Sequence, residues 1–421
     1  MKVVIVIVGA GQAGAWVARR LRGKNPDLSI TLIGEEAWAP YERPPLSKAS
    51  ITGGNAAPSY ILSTEQAEEL NIDLRLGTAA TAIDRTGKIL QLGNGKSLAY
   101  DKLVLATGGR ARQLQVPGSD LPGIYYLRTW DDALRLRERL RPGKSVMVVG
   151  GGWIGLELAS TARKTGCEVT LLESADCLCG RSVTPQISAF LAQQHQQHGV
   201  SVQFNARLDK IEAVSDGRLS VYTASGRTDV DIIAVGIGLQ PDTALAQDAG
   251  LDIANGIVVD RFGLTSDPDI YATGDVANQP FQAHASAPET RMRFESYANA
   301  TNHAVGVADH ICGEVKKIAE IPWFWSDQYD FQLQVLGTPR PDGQWILRGQ
   351  MQDNKFCLFQ MVGQTVQAVI AVNMAKELKI AKRWMKSGCY PAPELLSNLS
   401  VRLEKYEMGA WSISSVALVG G

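Results

Sequence analysis

Two glycine turns limit what this chain can fold into more than any other feature: Gly9, Gly11 and Gly14 in VVIVIVGAGQAG, and Gly150, Gly152 and Gly155 in VMVVGGGWIG. Each follows a β-branched run, Val3 to Val8 and Val146 to Val149, and each opens a helix-forming stretch. The context is therefore strand, tight turn, helix. In such a turn the first glycine permits the bend, the second lets the backbone approach a pyrophosphate, and the third lets the helix pack on the strand. About 20 residues on, an acid ends a second apolar run in both places: Glu35 after ITLIG and Glu173 after EVTLL. An acid there grips a ribose 2′-hydroxyl. Tight turns without a ligand would need this coincidence twice, so two dinucleotides are expected. Glu173 followed by Ser174 repels a 2′-phosphate and accepts from a hydroxyl, which favours NADH over NADPH at the second site.

With 421 residues the chain exceeds one ordinary core and should form two or three domains. A formal charge of −1 gives no basic field for nucleic acid or an anionic membrane. No run approaches the roughly 20 apolar residues of a membrane span. Met1 to Val8 flows into the glycine turn as a strand and not a signal peptide, which gives a cytoplasmic address. Cys167, Cys177, Cys179, Cys312, Cys357 and Cys389 contain no CxxC pair, which argues against a disulfide framework or a zinc site. Most read as small buried hydrophobes, and the Cys177–Cys179 pair as an exposed loop.

The order of the segments is equally informative. KILQLGNGKSLAY reads as a hairpin leading into the buried strand KLVLATGG, and ARQLQVPGSDLPG reads as a linker. The second fingerprint, a helix from Pro185 to His198 and a strand from Leu219 to Thr223 follow, and then GLTSDPDIYATGDVA returns to the first pattern. One dinucleotide domain is thus inserted in another. The expected boundaries are residues 1–112 and 238–320 for the outer domain and 113–237 for the inner one. From 321 to 421, FQLQVLG, WILRGQ, FCLFQMV and VQAVIAV alternate as an antiparallel sheet with a helix or two after it. The fold class is α/β, with two Rossmann-like domains and a C-terminal α+β domain.

Two dinucleotides in one chain suggest a hydride passing from a nicotinamide to a flavin, chemistry that the cofactors perform themselves. No metal site is expected. His195 and His198 lie a helical turn apart, but no acid or cysteine completes a ligand set, and a solvated glutamine-rich face is the better reading. His284, His303 and His310 lack companions that would make a general base. Asp275 in ATGDVA can accept from a polyol hydroxyl or cap a helix. In YERPPLSK two prolines stand beside Lys48, and Trp323, Phe324 and Trp325 open the last domain as an aromatic cluster.

The stretches GAGQAG, YERPPLSK, LVLATGGRAR, YLRT, VVGGGWIGLELA, ANGIVVD, TSDPDIYATGDVA and PWFWSDQYD occur in this order. By them the chain resembles, over almost its whole length, the FAD-dependent NADH:ferredoxin reductases of bacterial aromatic-ring-hydroxylating dioxygenase systems, the biphenyl and 3-phenylpropionate dioxygenase reductase and putidaredoxin reductase family. The resemblance implies a glutathione-reductase-like fold with FAD and NADH as cofactors. It implies that Ala13, Glu35, Lys48, Arg128, Asp275 and Tyr297 line the FAD site, with Ala80 offering backbone to the adenine. Gly152, Ile154, Glu157, Glu173, Arg181 and Gly238 would form the NADH site. Lys48 near flavin N5, Glu157 near the nicotinamide amide and Trp325 beside the flavin ring would be the catalytic residues.

Disulfide reductases of that fold need a redox cysteine pair beside the flavin, whereas this chain has Tyr-Glu-Arg-Pro-Pro there and no cysteine before Cys167. Electrons must leave the flavin directly, in this reading one at a time to a 2Fe-2S ferredoxin and through it to a terminal dioxygenase. Lys376, Lys379, Arg383 and Lys386, with Lys382 adjoining, fall on one helix face that suits an acidic ferredoxin, and Arg291 to Arg293 form a second candidate loop. The apolar run WSISSVALVGG after Glu407 departs from the family pattern. The chain is expected to act as a monomer or homodimer. The rival readings are a reductase for a cytochrome P450 ferredoxin or a rubredoxin, and an NADH-switched binding flavoprotein of the apoptosis-inducing-factor type. Lack of a basic nucleic-acid surface and of a targeting peptide counts against the last.

Overall fold

The computed structural model describes residues 2–282, 288–315, 321–388 and 390–406, so His284, Cys389 and the apolar run from Trp411 lie outside the described residues. The chain divides into two compact units, 1–320 and 321–421. The first unit holds two five-stranded sheets built to one plan. In one sheet the order is Ile270–Ala272, Lys102–Leu105, Val4–Val8, Ser29–Ile33, Ile72–Arg75, and every neighbouring pair is parallel. In the other it is Val200–Gln203, Glu168–Leu172, Ser145–Val149, Ile232–Val235, Ile124–Tyr126, again all parallel. Helices cover such sheets, so their central strands are continuous apolar runs without alternation. Ile5, Ile7, Val146 and Val148 are accordingly buried.

Each sheet carries the same accessory, a three-stranded antiparallel meander: Ala80–Asp84, Ile89–Leu92 and Ser97–Ala99 in one, Leu208–Ala213, Leu219–Thr223 and Gly226–Val230 in the other. The strand Ile270–Ala272 joins the first sheet only after the second has been completed, so the second sheet is an insertion. The chain enters and leaves that insertion through two short strands paired antiparallel, Gly109–Ala111 with Leu239–Pro241. The segment read as a linker shares only its first residue, Ala111, with the entering strand.

The second unit is a five-stranded antiparallel sheet in the order Trp323–Gln328, Phe331–Gly337, Thr365–Val372, Lys355–Val362, Gln344–Gln350. The helix Ala375–Ser387 buries Leu378, Ile380, Ala381 and Trp384, leaving Lys376, Lys379, Arg383 and Lys386 exposed. Its apolar residues fall at spacings of three and four, which is why one face could be read from sequence.

Three surface readings need correction. His195 and Gln194 are buried on the helix Pro185–Gln197, and only His198 of the pair is exposed, its Nδ1 2.8 Å from the Gln194 carbonyl. The glutamine-rich composition concealed an inward face made with Ile187, Phe190 and Leu191. Cys179 is buried in a left-handed conformation, φ +50°, with its N–H donating to the Gly151 carbonyl at 3.0 Å. Arg291 is exposed as read, but it sits in the strand Thr290–Met292 and not in a loop, and its guanidinium donates to the carbonyls of Val259 and Asn278. The Arg293 side chain is 8 % exposed and is paired with Glu295.

Candidate dinucleotide sites

The first glycine turn joins Val4–Val8 to the helix Gln12–Lys24. Gly9 has φ +109°, and a Cβ on it would lie 2.2 Å from the Ala106 carbonyl oxygen. A Cβ on Gly14 would lie 2.0 Å from the Gly9 oxygen, whereas one on Gly11 would meet only Arg43 Nη2, at 3.9 Å. The first and third glycines are thus fixed by packing, and the second leaves open the approach to the helix N-terminus. That helix has Gly11 at its N-cap, no side-chain cap and no acid in its first turn, so its N–H groups and positive dipole end suit an anion.

Around this turn the chain assembles a cationic wall. Arg43 donates from Nη2 to Glu36 at 2.6 Å and from Nη1 to the Arg128 carbonyl at 2.6 Å. Burial, and then the charge of Arg43, hold the Arg128 guanidinium below its ordinary range, while its Asp275 partner is a distant 3.5 Å away. A half-compensated cation beside an uncapped helix fits a pyrophosphate. Asp275 caps no helix with its side chain; it lies in the short turn Gly274–Val276. Tyr297 begins the helix Tyr297–Ile311 and donates to Glu42 at 3.0 Å, Ala13 is buried on the first helix, and Ala80 starts the meander. Glu35 stands apart, 62 % exposed and paired with Arg110 at 2.8 Å.

The second turn repeats the first. Gly150 has φ +105°, a Cβ on Gly155 would lie 1.9 Å from the Gly150 oxygen, and Gly152 is an uncapped N-cap on the helix Trp153–Lys164. Ile154 leaves 44 % of its surface exposed on that helix, Arg181 is exposed, and Gly238, φ +110°, has open space where a side chain would go. Glu173 folds back on the turn, accepting from Gly151 N–H at 2.6 Å and from Ala175 N–H at 2.8 Å.

The two halves meet at the turn Pro44–Ser47. Lys48 Nζ lies 2.8 Å from Glu157 Oε2 and 3.1 Å from the Pro44 carbonyl. Ser47 donates its hydroxyl to the same carboxylate, and Thr161, one helical turn beyond Glu157, donates to the Ser47 carbonyl at 2.7 Å. Ser47, Glu157 and Thr161 are all buried. A pair of residues from the second glycine helix therefore grips a single residue of the outer half.

Residues 3–304 match the family model described as pyridine nucleotide-disulphide oxidoreductase. The chain belongs to that family. Residues 323–406 of the oxidoreductase match a second model, reductase C-terminal. It is 38 % identical over 400 residues to the ferredoxin–NAD(+) reductase component of the p-cumate 2,3-dioxygenase system of Pseudomonas putida, covering 95 % of this chain and 97 % of that one. Among solved structures, the ferredoxin reductase for the CYP199A2 system of Rhodopseudomonas palustris superposes with a TM-score of 0.91 at 37 % identity, covering 96 % of this chain and 100 % of that one. The reductase of the covalent putidaredoxin reductase–putidaredoxin complex gives 0.90 at 36 %, covering 96 % and 97 %. The oxidoreductase uses a flavin and NAD(H).

In the second unit Trp325 stacks on Trp323, ring centroids 5.0 Å apart, and donates to Asp327 at 3.1 Å. Sequence reasoning missed Arg43, Ser47 and Thr161. For Ser47 the only available signal was its place beside Lys48, because its partner stands 110 residues away. Among the described residues no group of three or more His, Cys, Asp or Glu could hold a metal, and no helix is long and apolar enough to cross a membrane.

Proposed function

We propose that this oxidoreductase takes electrons from NADH into FAD and delivers them one at a time to a 2Fe-2S ferredoxin serving a cytoplasmic ring-hydroxylating dioxygenase. FAD would occupy the outer half, 1–112 and 238–320, and NADH the inserted half, 113–237, with the chain acting as a monomer or homodimer. The observation that carries the reading is the contact of half-buried Lys48 and buried Ser47 with the buried Glu157 carboxylate, which ties the two glycine-turn halves together just after the Tyr41–Pro45 stretch that holds no cysteine. FAD, when bound, supplies the conversion of a hydride into two single-electron transfers. The protein's part is positional. Arg128, Asp275 and the uncapped first helix would hold the flavin nucleotide, and Glu173 and the uncapped second helix would hold NADH. Lys48, kept in place by Glu157 and the Pro44 carbonyl, would present a fixed positive charge that favours an electron-rich ring beside it.

Stopped-flow mixing with NADH, then with a panel of 2Fe-2S ferredoxins, tests the proposal. Loss of flavin absorbance followed by carrier reduction is expected; failure to reduce any 2Fe-2S carrier would sink it. A second reading, a reductase for a cytochrome P450 ferredoxin, is favoured by the similarity to the CYP199A2-system reductase and putidaredoxin reductase. The carrier reduced fastest decides between them.

A further inference from the structure

The internal repeat allows one glycine turn to serve as a control for the other. Val8 pairs with Ile33 in the first sheet and Val149 with Leu172 in the second, and in both the next glycine N–H donates across at 2.8 Å, Gly9 to Ile33 and Gly150 to Leu172. The residues that follow occupy equivalent places: Ala10 faces Gly34, and Gly151 faces Glu173. A Cβ on Gly34 would lie 2.6 Å from that of Ala10, and a Cβ on Gly151 would lie 2.9 Å from Glu173 Oε2 and 2.6 Å from Leu178 Cδ2. At each turn only one of the two facing residues carries a side chain. In the first it is the loop residue, and Glu35, displaced one position outward, points to solvent and Arg110. In the second it is the acid.

The Gly151 peptide is held from both ends, its N–H by Glu173 and its carbonyl by Cys179 N–H at 3.0 Å. The turn thus resists swinging aside to admit a larger residue. The carboxylate is fixed as firmly, with Oε2 on Gly151 and Oε1 on Ala175 N–H and Ser174 Oγ. A group committed to its binding geometry beforehand spends no ordering free energy when the ligand arrives.

We propose that Gly151 is a specificity-determining residue: by carrying no Cβ it lets Glu173 close onto its own N–H, holding the acid where it accepts from a 2′-hydroxyl and repels a 2′-phosphate. The inference rests on the reading of the inserted half as the NADH site. Wild-type preference for NADPH would count against that reading itself, whereas the response to substitution tests the role of Gly151.

The test compares kcat/KM for NADH and NADPH with ferricyanide as acceptor in the flavin-loaded full chain, for Gly151→Ala, Glu173→Gln and the two combined. Gly151→Ala is expected to lower the NADH to NADPH ratio about tenfold, the worth of one hydrogen bond to a charged group. The loss should appear in the KM for NADH, with kcat changed less than about twofold, and should vanish in the Glu173→Gln background, since both changes act through one carboxylate. Should Gly151→Ala fold poorly, Leu178→Ala is added, which removes the nearest contact and leaves Glu173 as the side chain displaced. An unchanged ratio in the folded variant, or an equal fall with and without Glu173, overturns the proposal.

Discussion

His303 is the residue whose surroundings are least forgiving. It is 1 % exposed on the helix Tyr297–Ile311, with neither ring nitrogen bonded among the described residues, and burial pushes its pKa down to about 4. The folded protein holds it neutral, whereas the unfolded chain takes up a proton near the ordinary value of about 6.5. As pH falls through that window the unfolded state binds more protons, so stability falls, by about 2 kcal/mol between pH 7 and 5. Urea unfolding at the two pH values should show this loss, and His303→Leu should remove most of it; an unaltered slope would mean that another group titrates. Ser47 and Thr161 also act at this scale. Thr161→Val keeps the shape but withdraws one donor, and Ser47→Ala withdraws the other. Each is expected to slow flavin reduction at saturating NADH by about tenfold through small misplacement of the reacting rings, while the KM for NADH stays near wild type. A rise in that KM with an unchanged limiting rate would show that these residues help to bind the nucleotide.

At the scale of elements, the glycine turns separate folding from binding. A methyl on Gly14 would meet the Gly9 carbonyl oxygen at 2.0 Å, so Gly14→Ala should destabilise the outer half by about 3 kcal/mol or more, as overpacking of a tight core does. A methyl on Gly11 meets nothing closer than 3.9 Å and should leave thermal unfolding of the flavin-free protein unchanged, yet it occupies the approach to the helix N-terminus. Gly11→Ala should therefore fold and emerge with less bound flavin, measured by absorbance after gel filtration. Equal flavin content in both proteins would refute a phosphate cradle at this turn. These turns were the most legible part of the sequence, because their constraints lie within a few residues of one another. The antiparallel sheet of the second unit was legible for the same reason, through alternation in FQLQVLG and its neighbours. The asymmetry between Glu35 and Glu173 was hidden, since both follow an apolar run and only strand register shows that they occupy different places. His195 was misread because polar neighbours in sequence say little about which helix face turns inward. Ser47, Arg43 and Thr161 act through partners on other elements, which no local pattern carries.

At the scale of the whole molecule, exposed charge bears on where a carrier docks. Lys379 and Arg383 stand exposed on the helix Ala375–Ser387, and Lys376 is paired with Glu404 at 2.7 Å. Replacing Lys379 and Arg383 by Glu is expected to slow reduction of an acidic ferredoxin by tenfold or so at low salt, through lost steering, and to do so less as salt screens the field. Flavin reduction by NADH should not change; equal slowing of both steps would reject this docking face. The paired strands Gly109–Ala111 and Leu239–Pro241 carry a different consequence. The register sets Leu239 against Ala111 and Pro241 against Gly109, so the two points where the inserted half departs and returns lie side by side. Cutting the chain there would leave ends that a very short graft could join, at small loop-closure cost. The inserted half is in effect a cassette, one that could be exchanged for another of different coenzyme preference while the outer half kept an unbroken sheet.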